Sequence, residues 1–167
     1  TGNPIKQQDP QLTLGKDYGE FGTLPIGFEK IYAQLEGKGY MLWMGKNTFP
    51  FRKNNELFWS DNVFPEGLAA SKKIYFENGN FDYLKLTIGH FVLGSNNTSL
   101  NQDSYIQGVQ LETSLFRDLS IFPTFYYFHK MPNIPDGFET FFMNYSIAHL
   151  GLKARVLAKP SIHLMAD

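Results

Sequence analysis

Cysteine is absent from the 167-residue chain, which excludes a disulfide scaffold, a cysteine nucleophile and a thiolate metal site together. Long apolar runs are absent too. No stretch approaches the roughly eighteen consecutive apolar residues of a spanning helix. Tyr40 to Gly45 is among the densest, and Lys46 ends it. A slightly negative mean hydropathy would ordinarily indicate a water-exposed domain, but strands that alternate between lipid and a polar interior escape that test. Neither sign of charge is in excess: 15 Lys and Arg stand against 16 Asp and Glu, a net charge of −1. Nothing in that balance suggests nucleic acid as a partner or an acidic disordered tail. Helical patterning is scarce, with few windows holding apolar residues at three-and-four spacing.

What the chain has is aromatics and alternation. It carries 16 Phe and 9 Tyr against 2 Trp, a richness favoured on pleated surfaces and in the bands where a membrane meets water. Val109, Leu111 and Leu115 share one parity while Gln110, Glu112 and Ser114 share the other. Leu84, Leu86, Ile88 and Val92 alternate with Tyr83, Lys85, Thr87 and Gly89. Ala148, Leu150, Leu152, Ala154 and Val156 alternate with His149, Gly151, Lys153 and Arg155. A period of two with one apolar face is the pattern of a half-buried strand. Strands are expected at 26–37, 39–47, 68–78, 81–94, 104–117, 119–130, 138–157 and 161–167. Two segments do not alternate cleanly: Met41 to Met44, and the aromatic run Phe122, Phe125, Tyr126, Tyr127 and Phe128, which occupies both parities.

The connections sort into two kinds. Gly37-Lys38-Gly39, Asn78-Gly79-Asn80, Arg117-Asp118 and Ala158-Lys159-Pro160 are tight, mostly with the residues tight turns favour. Thr48 to Gly67, Ser95 to Asp103 and Met131 to Gly137 are longer, and Thr1 to Pro25 precedes the first strand. Short and long connections alternate along the chain, the rhythm of an outer-membrane barrel with short periplasmic turns on one rim and long loops on the other. A soluble sandwich scatters its long connections over both ends, and its strands are typically ~5–6 residues long, whereas a tilted membrane strand needs ~9–11. The reading is a single all-β domain over 1–167, with 1–25 a loop and 26–167 a strand meander. It forms part of an antiparallel up-and-down transmembrane β-barrel, about eight strands of a larger one. The loop-like start, Thr1-Gly2-Asn3-Pro4, and the alternating run Ile162 to Asp167 both suggest a ladder that continues beyond this stretch.

The most distinctive segment is Gly45-Lys46-Asn47-Thr48-Phe49-Pro50-Phe51-Arg52, followed by Phe58-Trp59-Ser60-Asp61-Asn62-Val63-Phe64-Pro65-Glu66-Gly67. It carries the cations Lys46, Arg52 and Lys53 among many aromatics without alternation. An ordinary surface loop is the plain reading. A loop this apolar sits poorly in water, so it is expected to fold against something such as a lumen wall. Gly45-Lys46 three residues ahead of Pro50-Phe51, and Trp59-Ser60-Asp61 three ahead of Pro65-Glu66-Gly67-Leu68-Ala69, resemble a porin family of Bacteroidetes-type outer membranes, distantly like the phosphate-selective porins. Thr1-Gly2-Asn3 and Leu150-Gly151-Leu152-Lys153 extend the similarity over most of the chain. The resemblance implies a barrel of more than eight strands, passive transport of small hydrophilic solutes and an outer-membrane location. It leaves a homo-oligomer open.

In such a pore the polar parity faces the lumen. That places Lys30, Gln34, Glu36, Lys73, Lys85, Glu112, Lys153 and Arg155 inward, five cations to two acids, which favours a mild anion preference. Mixed charge without selectivity is the plainer reading. The candidate pore-lining and constriction residues are Lys46, Arg52, Lys53, Lys85, Glu112, Lys153 and Arg155. Tyr40, Phe76, Phe81 and Phe116 beside the tight turns are expected to form the periplasmic aromatic girdle. Tyr105, Tyr126, Phe128 and Phe141 are expected at the opposite rim, with the Arg52 loop at the outer mouth.

No covalent chemistry is indicated. His90, His129, His149 and His163 fall on separate strands without ligand spacing. Gly37-x-Gly39 has no helix after it to cradle a phosphate. Asp61 and Glu66 have no fixed separation as a glycosidase pair. Ser71, Ser114 and Ser146 lack a nucleophile elbow. No enzyme, cofactor or metal is expected; the partners expected are a lipid bilayer and small solutes or anions. Two rivals stand beside the porin: a secreted β-sandwich binding carbohydrate through Trp43, Trp59 and tyrosines, and a complete eight-stranded barrel with a structural or adhesive role.

Overall fold

The computed structural model describes residues 29–77, 81–94, 103–115, 118–132, 142–157 and 161–166. They form eight strands: β1 (Ile31–Gly37), β2 (Tyr40–Lys46), β3 (Glu66–Tyr75), β4 (Phe81–Gly94), β5 (Ser104–Leu115), β6 (Leu119–Pro132), β7 (Phe142–Leu157) and β8 (Ile162–Ala166). Each pairs antiparallel with the next, giving one up-and-down sheet in order β1 to β8. All eight expected strands are present, β4 with the expected ends. The sheet is open: among the described residues β1 and β8 are edges, and no closed barrel forms. The expected loop 1–25 and the turns at 78–80 and 158–160 lie outside the described residues.

β1 and β2 meet through Lys38 and Gly39, and Gly39 has φ +72°, the left-handed region that glycine enters without penalty. Its carbonyl accepts a hydrogen bond from the Lys73 amide at 2.6 Å, which ties the turn to β3.

Register then assigns every side chain to a face. On one lie Leu35, Leu42, Leu68, Leu86, Val109, Phe125, Leu150 and Leu164, with their neighbours two residues away. This face is bare: Met44 is 65% exposed, Leu164 64% and Leu150 53%. On the other lie Trp43, Ala69, Phe91, Ile106, Gln110, Glu112, Phe122, Tyr126 and Phe128, all buried, because the connection from Asn47 to Pro65 folds over them. The non-alternating segments are thereby explained. Met41 and Trp43 point under this connection while Leu42 and Met44 point to the bare face. Phe122, Tyr126 and Phe128 point under it while Phe125 and Tyr127 do not.

This corrects the expected rim girdle. Tyr126 and Phe128 belong to the covered core and not to an outward aromatic band. Tyr40, Phe76 and Phe81 do lie exposed beside the turn end, and Tyr105 stands at the other end of the bare face, opposite His129. Phe116 and Phe141 fall outside the described residues.

Candidate functional site

The connection between β2 and β3 behaves as a strap across the covered face. Its base closes where the Asn47 amide donates to the Pro65 carbonyl at 3.2 Å. From there three kinds of contact hold it. The first is apolar. Phe49 stacks on Trp59 with ring centroids 4.5 Å apart, Phe58 stacks on Tyr126 at 4.5 Å, and Phe51 meets Phe91 and Tyr126 edge to face. Edge-to-face and offset pairs of this kind each add about 0.5–1.5 kcal/mol beyond their area burial.

Phe51 fits because glycine is beneath it. Gly89 and Gly108 are directly paired between β4 and β5, which leaves a recess two side chains wide. A Cβ built on Gly108 would stand 2.5 Å from Phe51 Cζ and 3.1 Å from Tyr126 Cδ1. Gly108→Val should therefore expel Phe51 and loosen the strap, at about the 1–3 kcal/mol of an overpacked core. Limited proteolysis between residues 52 and 62 reads this directly. Cleavage no faster than in the unsubstituted protein would mean that the recess does not hold the strap.

The second contact is a polar latch. Gln110, 1% exposed, accepts from the Arg52 amide at 2.8 Å and donates to the Arg52 carbonyl at 2.8 Å. It also donates to Thr124 Oγ1 at 2.7 Å. The side-chain amide thus mimics a strand neighbour for one strap residue, and every strong bond it makes is satisfied in a buried place. Further along, Asn54 Nδ2 donates to the carbonyls of Leu152 and Ala166 at 3.0 and 2.9 Å. The strap thereby spans from β2 to the β7–β8 pair.

The third is charge. Arg52 Nη1 lies 2.6 Å from Glu112 Oε1, and its guanidinium stacks over the Phe122 ring at 4.8 Å. The Tyr83 hydroxyl donates to the same carboxylate oxygen at 2.6 Å, and Lys85 Nζ stands 4.0 Å from Oε2. Glu112 is buried, so these partners are what make its charge tolerable.

The candidate residues divide accordingly. Arg52, Lys85 and Glu112 come together as one cluster. Lys53 instead staples the strap to itself, donating to the Trp59 carbonyl at 2.6 Å and pairing with Asp61 at 2.7 Å. That hydrogen bond holds the Asp61 carboxyl below its ordinary pKa. The Lys53–Asp61 ion pair therefore persists at neutral pH and is lost as acid takes the carboxyl through its lowered value, while the bond to the Trp59 carbonyl remains. Arg155 pairs with Asp118 in the β5–β6 turn, Nε to Oδ1 at 2.7 Å. Lys153 shares their face, opposite Ser120 and Met165, with no ion-pair partner among the described residues. Lys46 is the exception. Register puts it on the bare face with Met44 and Leu42, where it lies 3.8 Å from Glu66. It lines no covered surface.

Comparison with protein-family models, with curated proteins and with solved structures found no match. The arrangement is thus read from its own chemistry.

Two features were not legible beforehand. Gln110 and Asn54 sit 58 and 98 residues from the groups they latch, and only the inward parity of Gln110 hinted at a role. The histidines looked isolated, yet Tyr105 lies between His90 and His129, tilted to the first with centroids 4.9 Å apart and stacked on the second at 4.6 Å. His90 Nδ1 also meets Gln107 Nε2 at 3.2 Å. This polar row ends the aliphatic part of the bare face at the strap end of the strands.

Proposed function

We propose that the chain is a wall segment of an outer-membrane porin: part of a water-filled β-barrel for passive diffusion of small hydrophilic solutes, with the strap narrowing the lumen and a mild preference for anions. One observation carries the reading. The face that a soluble sheet would bury is uncovered and aliphatic, and the face bearing Lys73, Lys85, Glu112, Lys153 and Arg155 is the one the chain folds a loop onto. The largest apolar patch on a soluble monomer is roughly 300–600 Å², whereas here apolar side chains run across all eight strands of the bare face. Lipid is the partner that accepts such a surface without hydrogen bonds, provided each backbone group is paired.

The bare face is also banded. Aliphatic residues fill its middle, while Tyr40, Phe76 and Phe81 lie at the turn end and His90, Tyr105, Tyr127 and His129 at the strap end. Phe81 to His90 is nine residues along β4, about 30 Å at ~3.3 Å per residue. Tilted by ~35–45°, that span matches a lipid-facing band ~25 Å tall. The strands β4 to β7 hold 14, 12, 14 and 16 residues, beyond the ~9–11 a tilted crossing requires. A secreted carbohydrate-binding sandwich is disfavoured on the same ground, since its inner face would need a second sheet and its tryptophans would need exposure; Trp43 is 2% exposed.

Planar-bilayer recording on the full-length protein tests the reading. Discrete conductance steps are expected. Replacing Lys85, Lys153 and Arg155 together by Glu should move the reversal potential toward cations. A folded protein that conducts nothing would leave the eight-stranded structural barrel, and an unmoved potential would show that these residues do not set selectivity.

A further inference from the structure

On the bare face, the change from aliphatic to polar at the strap end falls within one step of two residues and runs across four strands. Ile88, Val109, Phe125 and Ala148 lie side by side in register, and the next row toward the strap end is His90, Gln107, Tyr127 and Ser146. At ~4.8 Å between strands this row is about 14 Å wide. Beyond it stand Tyr105 and His129, directly paired. Ring contacts fix the group: Tyr105 is tilted to His90 with centroids 4.9 Å apart and stacked on His129 at 4.6 Å. His90 Nδ1 meets Gln107 Nε2 at 3.2 Å.

These six side chains keep hydrogen-bonding capacity that the fold leaves over. The hydroxyls of Tyr105, Tyr127 and Ser146 make no hydrogen bond among the described residues, and His129 Nδ1 has no partner there either. Gln107 and Ser146 are exposed. No carboxylate or ammonium is among the six. The charges in register with Tyr105 and His129 are Lys46 and Glu66, which pair with each other at 3.8 Å. The turn end differs. There Lys72, exposed and opposite Tyr40 and Leu86, holds its ammonium 5.7 Å over the Tyr40 ring with no ion-pair partner among the described residues. An unpaired ammonium at a membrane rim attracts anionic headgroups. The strap-end row offers nothing of that kind, only neutral donors, acceptors and ring faces.

We propose that this row binds the uncharged sugar headgroup of a glycolipid whose acyl chains lie along the aliphatic rows beside it. A sugar hydroxyl both donates and accepts, which matches the amide of Gln107 and the hydroxyls of Tyr127 and Ser146. A sugar's C–H face packs on an aromatic ring, which Tyr105 and Tyr127 supply. The width of the row admits more than one sugar ring. The step from Ile88 to His90 sets the level at which acyl chain gives way to headgroup. His90 and His129 are positioning residues here, since they hold Tyr105 between them. The inference rests on the reading that the bare face meets lipid, and it adds which lipid is preferred and where it is held.

The test places the full-length protein in phosphatidylcholine vesicles with traces of lipids spin-labelled on the acyl chain, and reads by electron spin resonance the fraction of each that the protein slows. Diglucosyl diacylglycerol should associate about fivefold more strongly than phosphatidylcholine, the scale of one net hydrogen bond. Gln107→Leu, Tyr127→Phe and Ser146→Ala together should bring it down to the phosphatidylcholine level. Any excess of phosphatidylglycerol should be smaller, should survive those three changes and should go with Lys72→Gln. Slowed phosphatidylcholine in each variant reports that it has folded into the bilayer. Equal association of glycolipid and phosphatidylcholine would leave the row to a second copy of the chain or to bulk headgroups, and would overturn the site while keeping the lipid-facing assignment. So would a glycolipid excess unchanged in the triple variant, or a phosphatidylglycerol excess that the triple variant abolishes. No slowed lipid of any kind would remove the membrane reading itself.

Discussion

Replacing the strap from Phe49 to Phe64 by a short Gly-Ser linker should raise single-channel conductance several-fold without dissolving the strand ladder. The strap lies across the covered face from β2 to the β7–β8 pair, held by Phe51 over Gly89 and Gly108, by the Gln110 amide and by Asn54. Strand pairing does not pass through it: the registers of β2 with β3 and of β4 with β5 are continuous beneath it. Its removal uncovers Trp43, Phe91, Ile106 and Tyr126 to water, so slower folding should accompany the wider pore. A milder version, Phe51→Ala, loses about 3–5 kcal/mol of strap docking, as for a buried Phe truncated to Ala. It should give a noisy, partly widened channel. Planar-bilayer recording measures both. Conductance identical to that of the intact protein would mean that the strap does not sit in the solute path.

The second large effect concerns the bare face. Ile88 lies in its middle row, between Ala70 and Val109, and is 47% exposed. In a soluble sheet, an exposed Ile→Arg change stays within about ±0.5 kcal/mol. In lipid, an arginine near the midplane costs ~2–4 kcal/mol. Ile88→Arg should therefore lower the stability of the vesicle-inserted protein by the larger amount, read as a shifted urea midpoint. Ser71→Arg, one strand away on the opposite face, should cost less despite adding the same charge. Equal and small penalties at the two sites would indicate water on both faces and sink the membrane assignment.

Much of the fold was readable because the alternation is nearly unbroken where both faces are uniform. β4, β5 and β7 each give their face assignment by parity, so Gln34, Glu36, Lys73, Lys85, Glu112, Lys153 and Arg155 share one side in the register as in the sequence. Legibility failed where a loop supplies the second partner. The aromatics of β6 filled both parities because one set packs under the strap and the other faces outward. Counting could not separate Tyr126 and Phe128 from Phe125 and Tyr127 without knowing where residues 47–65 go. Lys46 was misplaced for a related reason: it was grouped with the strap it precedes, although parity with Leu42 and Met44 already put it on the bare face. Contacts between distant segments, such as Gln110 with Arg52, leave no local trace at all, since each end is an unremarkable polar residue in its own neighbourhood.

The central claim is that the bare face meets lipid while the opposite face meets water. β7 is a good place to ask, because its register with β6 is unbroken from Ala148 to Ala154. Nitroxide labels placed one at a time along this stretch of the full-length protein in vesicles report contact with oxygen, which concentrates in lipid, and with a water-soluble nickel chelate. The account predicts a period of two: oxygen contact at Ala148, Leu150, Leu152 and Ala154, chelate contact at Lys153 and Arg155. Chelate contact at every position, in a protein that stays monodisperse without detergent, would contradict it.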